Sequence, residues 1–324
     1  MAASEPRLPS REDDSAPSVA QLPLWRRVLP FVLAALLVLW VLSRLDLAAF
    51  TRALGRTHYA AYLGFTALFM PVLLSADAFA TAHVYRRSVG AVSFRELFLI
   101  RGGSYFPSLL NHHLGQAWLT WFVSRRYGTP LWRVAGATLL VYVTTFGCLF
   151  VLVSLALPFN HGRVPWLAPT VVVLAVLAVM YGLVIAIKPA FLKRWQATAP
   201  LVEAGISGHV LALILRMPHV LVQFLGAWLP FWFFGVKVPF KDALAYVPVI
   251  MLVQTLPITP QGVGTRDVIA LELLAPYAPG TAQEQTAAVA AVTLSWAALL
   301  TIAQALISPV LLRRAQRLLH KPTP

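Results

Sequence analysis

Residues 134–160 read VAGATLLVYVTTFGCLFVLVSLALPFN, 27 consecutive residues without a charge. A helix rises about 1.5 Å per residue, so about 20 such residues cover the hydrocarbon of a bilayer. A soluble core does not need repeated uncharged helices of that length. The same kind of stretch recurs at 164–187 and 286–312, and at 60–84 and 210–236, where Asp77 and Arg216 are the single charged interruptions. A shorter run, 28–43, makes six spans. Arg26 and Arg27 lead directly into it, which fits a retained signal anchor better than a cleaved signal.

Composition agrees with an all-α, polytopic integral membrane protein. Of the 324 residues 59% are apolar and 12% are charged. The formal net charge of +14 does not point to nucleic acid, because Lys and Arg sit at the ends of apolar runs rather than along one face or in one tail. Cys148 is the single cysteine and lies inside an apolar run, so it reads as inert packing; neither a disulfide within the chain nor a cysteine-based metal site can form. Residues 1–22, rich in Ser, Pro, Ala and charge, read as a disordered cytoplasmic tail; 23–312 read as one membrane domain and 313–324 as a short basic cytoplasmic tail.

Two further apolar stretches, 96–124 and 242–275, are interrupted near the middle by helix breakers, at Asn111-His-His-Leu-Gly115 and at Pro257-Ile-Thr-Pro-Gln-Gly-Val-Gly264. Arg86, Arg87 and Arg95 precede the first, and Arg125, Arg126 and Arg133 follow it, so it is expected to enter and leave on one side. With that treatment 17 Lys and Arg fall in inside loops and tails against 6 outside, with Arg101, Arg216 and Arg266 at membrane depth. The bias places both termini in the cytoplasm. The two stretches also open alike, with Phe94-Arg-Glu-Leu and Phe240-Lys-Asp-Ala, and three spans lie between them. An odd number of crossings inverts the second copy, so the expected fold is about six transmembrane helices plus two re-entrant broken hairpins in an inverted repeat, the layout of alternating-access carriers.

The residues that could carry chemistry lie in these hairpins and at depth. Gly262, Gly264, Thr265, Arg266 and Asp267 combine glycines that allow close backbone approach, a capped helix start with free N–H groups, and a guanidinium. That is an anion site, and inside hydrocarbon the anion would be a lipid phosphate. The alternative is that Arg266 pairs with Asp267 or Glu272 and holds the loop closed. Arg101 and Arg216 interrupt apolar helices, where a charge costs at least about 2.5–3.5 kcal/mol, so they should face a polar interior. Asp77 is the natural partner for either, and a structural pair and a substrate path both satisfy the same penalty. Asn111 and Gly115 mark the first hairpin tip. His112 and His113 beside them complete no metal-ligand pattern, and no cofactor fingerprint or nucleophile elbow occurs.

On these residues the chain resembles the transmembrane domain of lysylphosphatidylglycerol synthases and their stand-alone, flippase-like relatives. The resemblance spans about 24–312. It rests on Asn111 with Gly115 before a helix ending in Ser124-Arg-Arg-Tyr-Gly128, and on Leu256-Pro-Ile-Thr-Pro-Gln-Gly-Val-Gly-Thr-Arg-Asp267, similar to the family's Pro…Gly-x-Gly-x-Arg-Glu signature. It implies a multi-pass protein of the inner membrane that translocates a lipid, in the two-domain members a modified lipid that a separate soluble domain makes. Two departures stand out: Asp267 replaces the usual Glu, and Leu114-Gly-Gln-Ala-Trp-Leu119 lacks the acidic and basic pair of many relatives, which leaves room for a substrate other than an aminoacyl lipid.

The expected function is therefore a lipid flippase or transporter, not an enzyme, with membrane lipid as its partner. The alternatives are an intramembrane lipid-modifying enzyme and a noncatalytic partner subunit. Only twelve residues follow Leu312, too few for an acyl- or aminoacyl-transfer domain, which disfavours the enzyme. Nothing in the sequence fixes an oligomeric state or a protein partner.

Overall fold

The computed structural model describes Val32, Leu36, Leu39, Ser43 and residues 46–160, 162–255 and 264–320. The expected tail 1–22, most of the run 28–43, and the breaker segment with Gly262 lie outside the described residues. The four described positions of that run are helical and exposed.

The described chain is helical throughout, with no strand. In order it forms α1 (Leu47–Gly55), α2 (Tyr59–Ser88), α3 (Phe94–Leu110), α4 (His112–Tyr127), α5 (Leu131–Ala156), α6 (Leu167–Ile187) and α7 (Ala190–Arg194). It continues with α8 (Ala199–Trp228), α9 (Pro230–Phe233), α10 (Phe240–Thr255), α11 (Thr265–Leu274) and α12 (Ala282–Gln316). Five helical segments are long and apolar enough to cross a membrane: Tyr59–Ser88, Leu131–Phe159, Leu167–Ile187, Ala199–Phe233 and Ala282–His320. They coincide with five of the six expected spans. The segment ending at Phe233 starts eleven residues earlier than the expected 210, because α8 runs through a bend at Gly205, whose φ of 59° is left-handed.

Both broken stretches form helix pairs. Ser93 caps α3 by accepting from Glu96 N–H at 3.1 Å, and Asn111 caps α4 by accepting from His113 N–H at 2.8 Å. Asn111 is itself extended, so the chain reverses there, and α4 packs back along α3. Gly115 makes that approach possible, since a Cβ on it would lie 1.8 Å from Ser108 Oγ and 2.8 Å from Ser104 O. The two ends meet: Arg126 Nη2 donates to Glu96 Oε1 at 2.7 Å, and the Tyr127 hydroxyl donates to Oε2. A segment that enters and leaves on one side has this geometry. The second pair, α10 and α11, also packs together, and Tyr277 just beyond α11 lies within electrostatic reach of Asp242 at the opening of α10. Thus the acidic residue of each Phe-basic-acidic opening has a tyrosine near it at the exit, bonded in the first pair. Three of the spanning segments lie between the pairs, as an inverted repeat requires.

Packing divides the bundle into two apolar cores. One gathers Phe69 and Met70 from α2, Leu149 to Ala156 from α5, Val220 and Phe224 from α8, and Trp296 from α12. Trp296 stacks among Tyr62, Phe65 and Phe69, so it is packing, whereas Trp132 and Trp166 are exposed near helix starts as a membrane belt would be. The other core gathers Ala82 to Tyr85 from α2, Leu119 to Val123 from α4, Val134 to Leu140 from α5, and Ala212 from α8. In α2 the gap between them holds Asp77 and Thr81, and in α8 it holds Arg216. Cys148 is buried, with its thiol against Leu213 O.

Candidate functional site

In that gap one carboxylate holds two guanidinium groups from different helices. Asp77 Oδ2 accepts from Arg101 Nε of α3 at 2.5 Å, and Oδ1 accepts from Arg216 Nη1 of α8. Thr81, one turn beyond Asp77 on the same face of α2, donates to Oδ1 at 3.3 Å and accepts from Arg216 Nη2 at 2.9 Å. The expected pairing of Asp77 with either arginine is thus a pairing with both. Burial explains why: a lone Arg216, whose side chain is 2% exposed, would be an uncompensated charge between two dry cores.

The charges do not cancel. Two arginines against one carboxylate leave an excess of one positive charge, and the geometry puts it on Arg101, whose side chain is 20% exposed where that of Asp77 is 6%. Asp77 engages only the Nε edge of Arg101. The Nη1 edge faces Gln116 of α4, whose amide oxygen, turned towards it, accepts at 2.6 Å. Tyr105, Tyr142 and His112 lie within electrostatic reach of the same guanidinium. His219, one turn past Arg216, is buried near Asp77 with Nδ1 unpartnered. The arrangement offers what an anion can use: a guanidinium fixed by Asp77, an amide against it and two phenols within electrostatic reach, in surroundings of low dielectric.

Arg266 stands elsewhere. Its Nη2 and Nε donate to Asp267 Oδ1 at 3.0 and 3.2 Å, and Nη2 also reaches Thr293 O at 3.3 Å. Asp267 Oδ2 accepts from Gly264 N–H at 2.9 Å, and φ of 87° at Gly264 lets the chain enter α11 there. Asp267 is 1% exposed. The start of α11 is therefore clasped by this carboxylate. Of the two acids expected as partners of Arg266, the structure pairs it with its neighbour Asp267, while Glu272 is exposed. Thr265 is half-buried beside them.

The structure thus joins Asp77, Arg101 and Arg216 and leaves the Arg266 group apart. Arg266 meets α12 at Thr293, whereas Gly102 meets it at Leu311, a separation on the order of 27 Å along the helix. Asn111 and Gly115 shape the hairpin tip, one as a cap and the other as a packing gap. The sequence reading passed over Thr81, Gln116, Tyr105 and Tyr142, and the Glu96–Arg126–Tyr127 closure. For Thr81 a signal existed, a hydroxyl four residues after a buried acid.

The sequence model of a family described as the lysylphosphatidylglycerol synthase TM region matches residues 27–313. No curated protein and no solved structure matches the chain.

Proposed function

The chain belongs to the lysylphosphatidylglycerol synthase transmembrane-region family, and from that premise we propose that it carries an amphiphilic lipid with an anionic head group, of phospholipid or polyprenyl-phosphate type, across the inner membrane. The observation that carries the proposal is the unbalanced positive charge of the Asp77–Arg101–Arg216 layer. A purely structural clasp needs one guanidinium per carboxylate. Here the second is partly open, with Gln116 against it and two tyrosines within electrostatic reach, so a phosphate passing it gains a charge-assisted contact at mid-depth, where a bare anion would otherwise be costly.

The paired hairpins supply the moving parts of this reading. The first is closed at its mouth by the Tyr127–Glu96 bond and the second brings Tyr277 near Asp242, and because the copies are inverted, the mouths face opposite sides in this reading; opening one while the other stays shut exposes the charged layer alternately. Both termini lie in the cytoplasm in this scheme, and no covalent step is involved.

The test is reconstitution into liposomes with fluorescent phosphatidylglycerol, phosphatidylcholine and a polyprenyl phosphate, each scored for transbilayer movement, with mass spectrometry of the lipids. The proposal expects protein-dependent movement of an anionic lipid without covalent change. Movement of no lipid, or a protein-dependent covalent product, overturns it.

A further inference from the structure

A cavity lies between α2, α5 and α8, at the end of the bundle that carries Arg86 and Arg133. It measures about 200 Å³ and is bordered by His83, Arg87, Ser88, Glu203, Gly208 and Ala212 among others. Along α2 it begins six residues beyond Asp77, or about 9 Å, and along α8 it ends one turn before Arg216. It is therefore separate from the charged layer, although on the same α2–α8 seam.

Its chemistry is that of a donor pocket. The Arg87 guanidinium is drawn in over Gly208, where a Cβ would sit 3.1 Å from Nη1, and among the described residues it has no ion pair. The His83 imidazole borders the cavity, and its Nε2 has no hydrogen-bond partner in the protein, so the ring is not committed to a structural bond through that atom. Glu203 is the one acid at the rim. Arg133 neutralises it from both guanidinium prongs, at 3.1 and 2.7 Å, so the rim keeps the positive charge of Arg87.

We infer that this cavity is a phosphate-binding site, with Arg87 as the principal contact and His83 and Ser88 as flanking donors. The three donors stand together on the α2 wall, with the Arg87 guanidinium reaching across to Gly208 of α8, and a phosphate has acceptor oxygens enough to take all three. The small residues Gly208 and Ala212 make the room. The phosphate can be that of a lipid head group or a free phosphate. The inference does not depend on transport past Arg101.

The test uses the full chain in a neutral, phosphate-free detergent, with native mass spectrometry for dioleoylphosphatidylglycerol, dioleoylglycerol as the control without phosphate, and ³¹P line broadening for inorganic phosphate. Arg87→Gln should weaken binding about tenfold or more, as loss of a charge-assisted contact does. Gly208→Val, which displaces the guanidinium and fills the cavity while keeping every charge, should do the same, and Arg101→Gln should leave this site intact. A response to the lipid alone names a head group as the ligand; a response to inorganic phosphate alone names a soluble one. Size exclusion and thermal unfolding confirm that each variant is folded. Binding of both probes unchanged in Arg87→Gln and Gly208→Val, lost only in Arg101→Gln, or no greater than that of dioleoylglycerol overturns the inference. A failure of lipid movement with this binding intact would count against the transport reading alone.

Discussion

Glu96, near the start of the first broken pair, and Arg126, at its far end, meet at 2.7 Å although a reversed pair of helices separates them in sequence. With Tyr127 on its other oxygen, Glu96 closes the mouth of the hairpin. Glu96→Gln removes a charge-assisted partner from a guanidinium that is 4% exposed. We predict a loss of about 1.5–3 kcal/mol in detergent unfolding, together with faster alkylation of a cysteine placed at Ser108 in a Cys148→Ser background. Unchanged alkylation would show that the mouth opens independently of this bond.

Asp77 is predicted to be the more costly residue. Asp77→Asn leaves two arginines facing one another between dry cores, and losing one partner of a buried pair costs about 3–5 kcal/mol. Adding Arg101→Gln to Asp77→Asn should recover part of that loss, because one repelling charge is gone. A double-mutant cycle by thermal unfolding measures it, and strict additivity would contradict a shared network.

Gly115→Ala is predicted to destabilise by about 1–3 kcal/mol through overpacking at the hairpin tip, since the added methyl meets both Ser108 Oγ and Ser104 O. Gly128→Ala at the other end of α4 meets nothing within 4 Å, so only the strain of its φ of 63° acts there, and it should cost less. Thermal unfolding of the two variants side by side gives the comparison.

The spans were legible because hydrocarbon sets a length and tolerates few charges, so 134–160 and 286–312 could be read by counting. The same rule pointed to Asp77, Arg101 and Arg216, since charges at that depth must find one another. That Asp77 takes both arginines was not legible: it depends on how α2, α3 and α8 are rotated, which apolar periodicity does not fix in helices that face lipid. Arg266 drew the reading because it follows a glycine-rich breaker, and the neighbouring Asp267 was weighed as a clasp but not preferred. Its burial at 1% exposure, which makes the clasp costly to open, is visible only in three dimensions. Helix α1 is not legible because nine residues are too few to span, and Arg52 inside it with Arg44 and Arg56 on either side looks like a loop.

The most direct measurement compares Arg101→Gln and Arg266→Gln for transbilayer movement of labelled phosphatidylglycerol, per folded molecule, in the same liposomes. The account predicts that Arg101→Gln lowers transport more than about tenfold, that Arg101→Lys restores only part of it because a point charge lacks the guanidinium fork, and that Arg266→Gln lowers stability while transport stays within about twofold. Wild-type transport by folded Arg101→Gln, with transport lost in a stable Arg266→Gln, would contradict it and return the head group to the α11 loop.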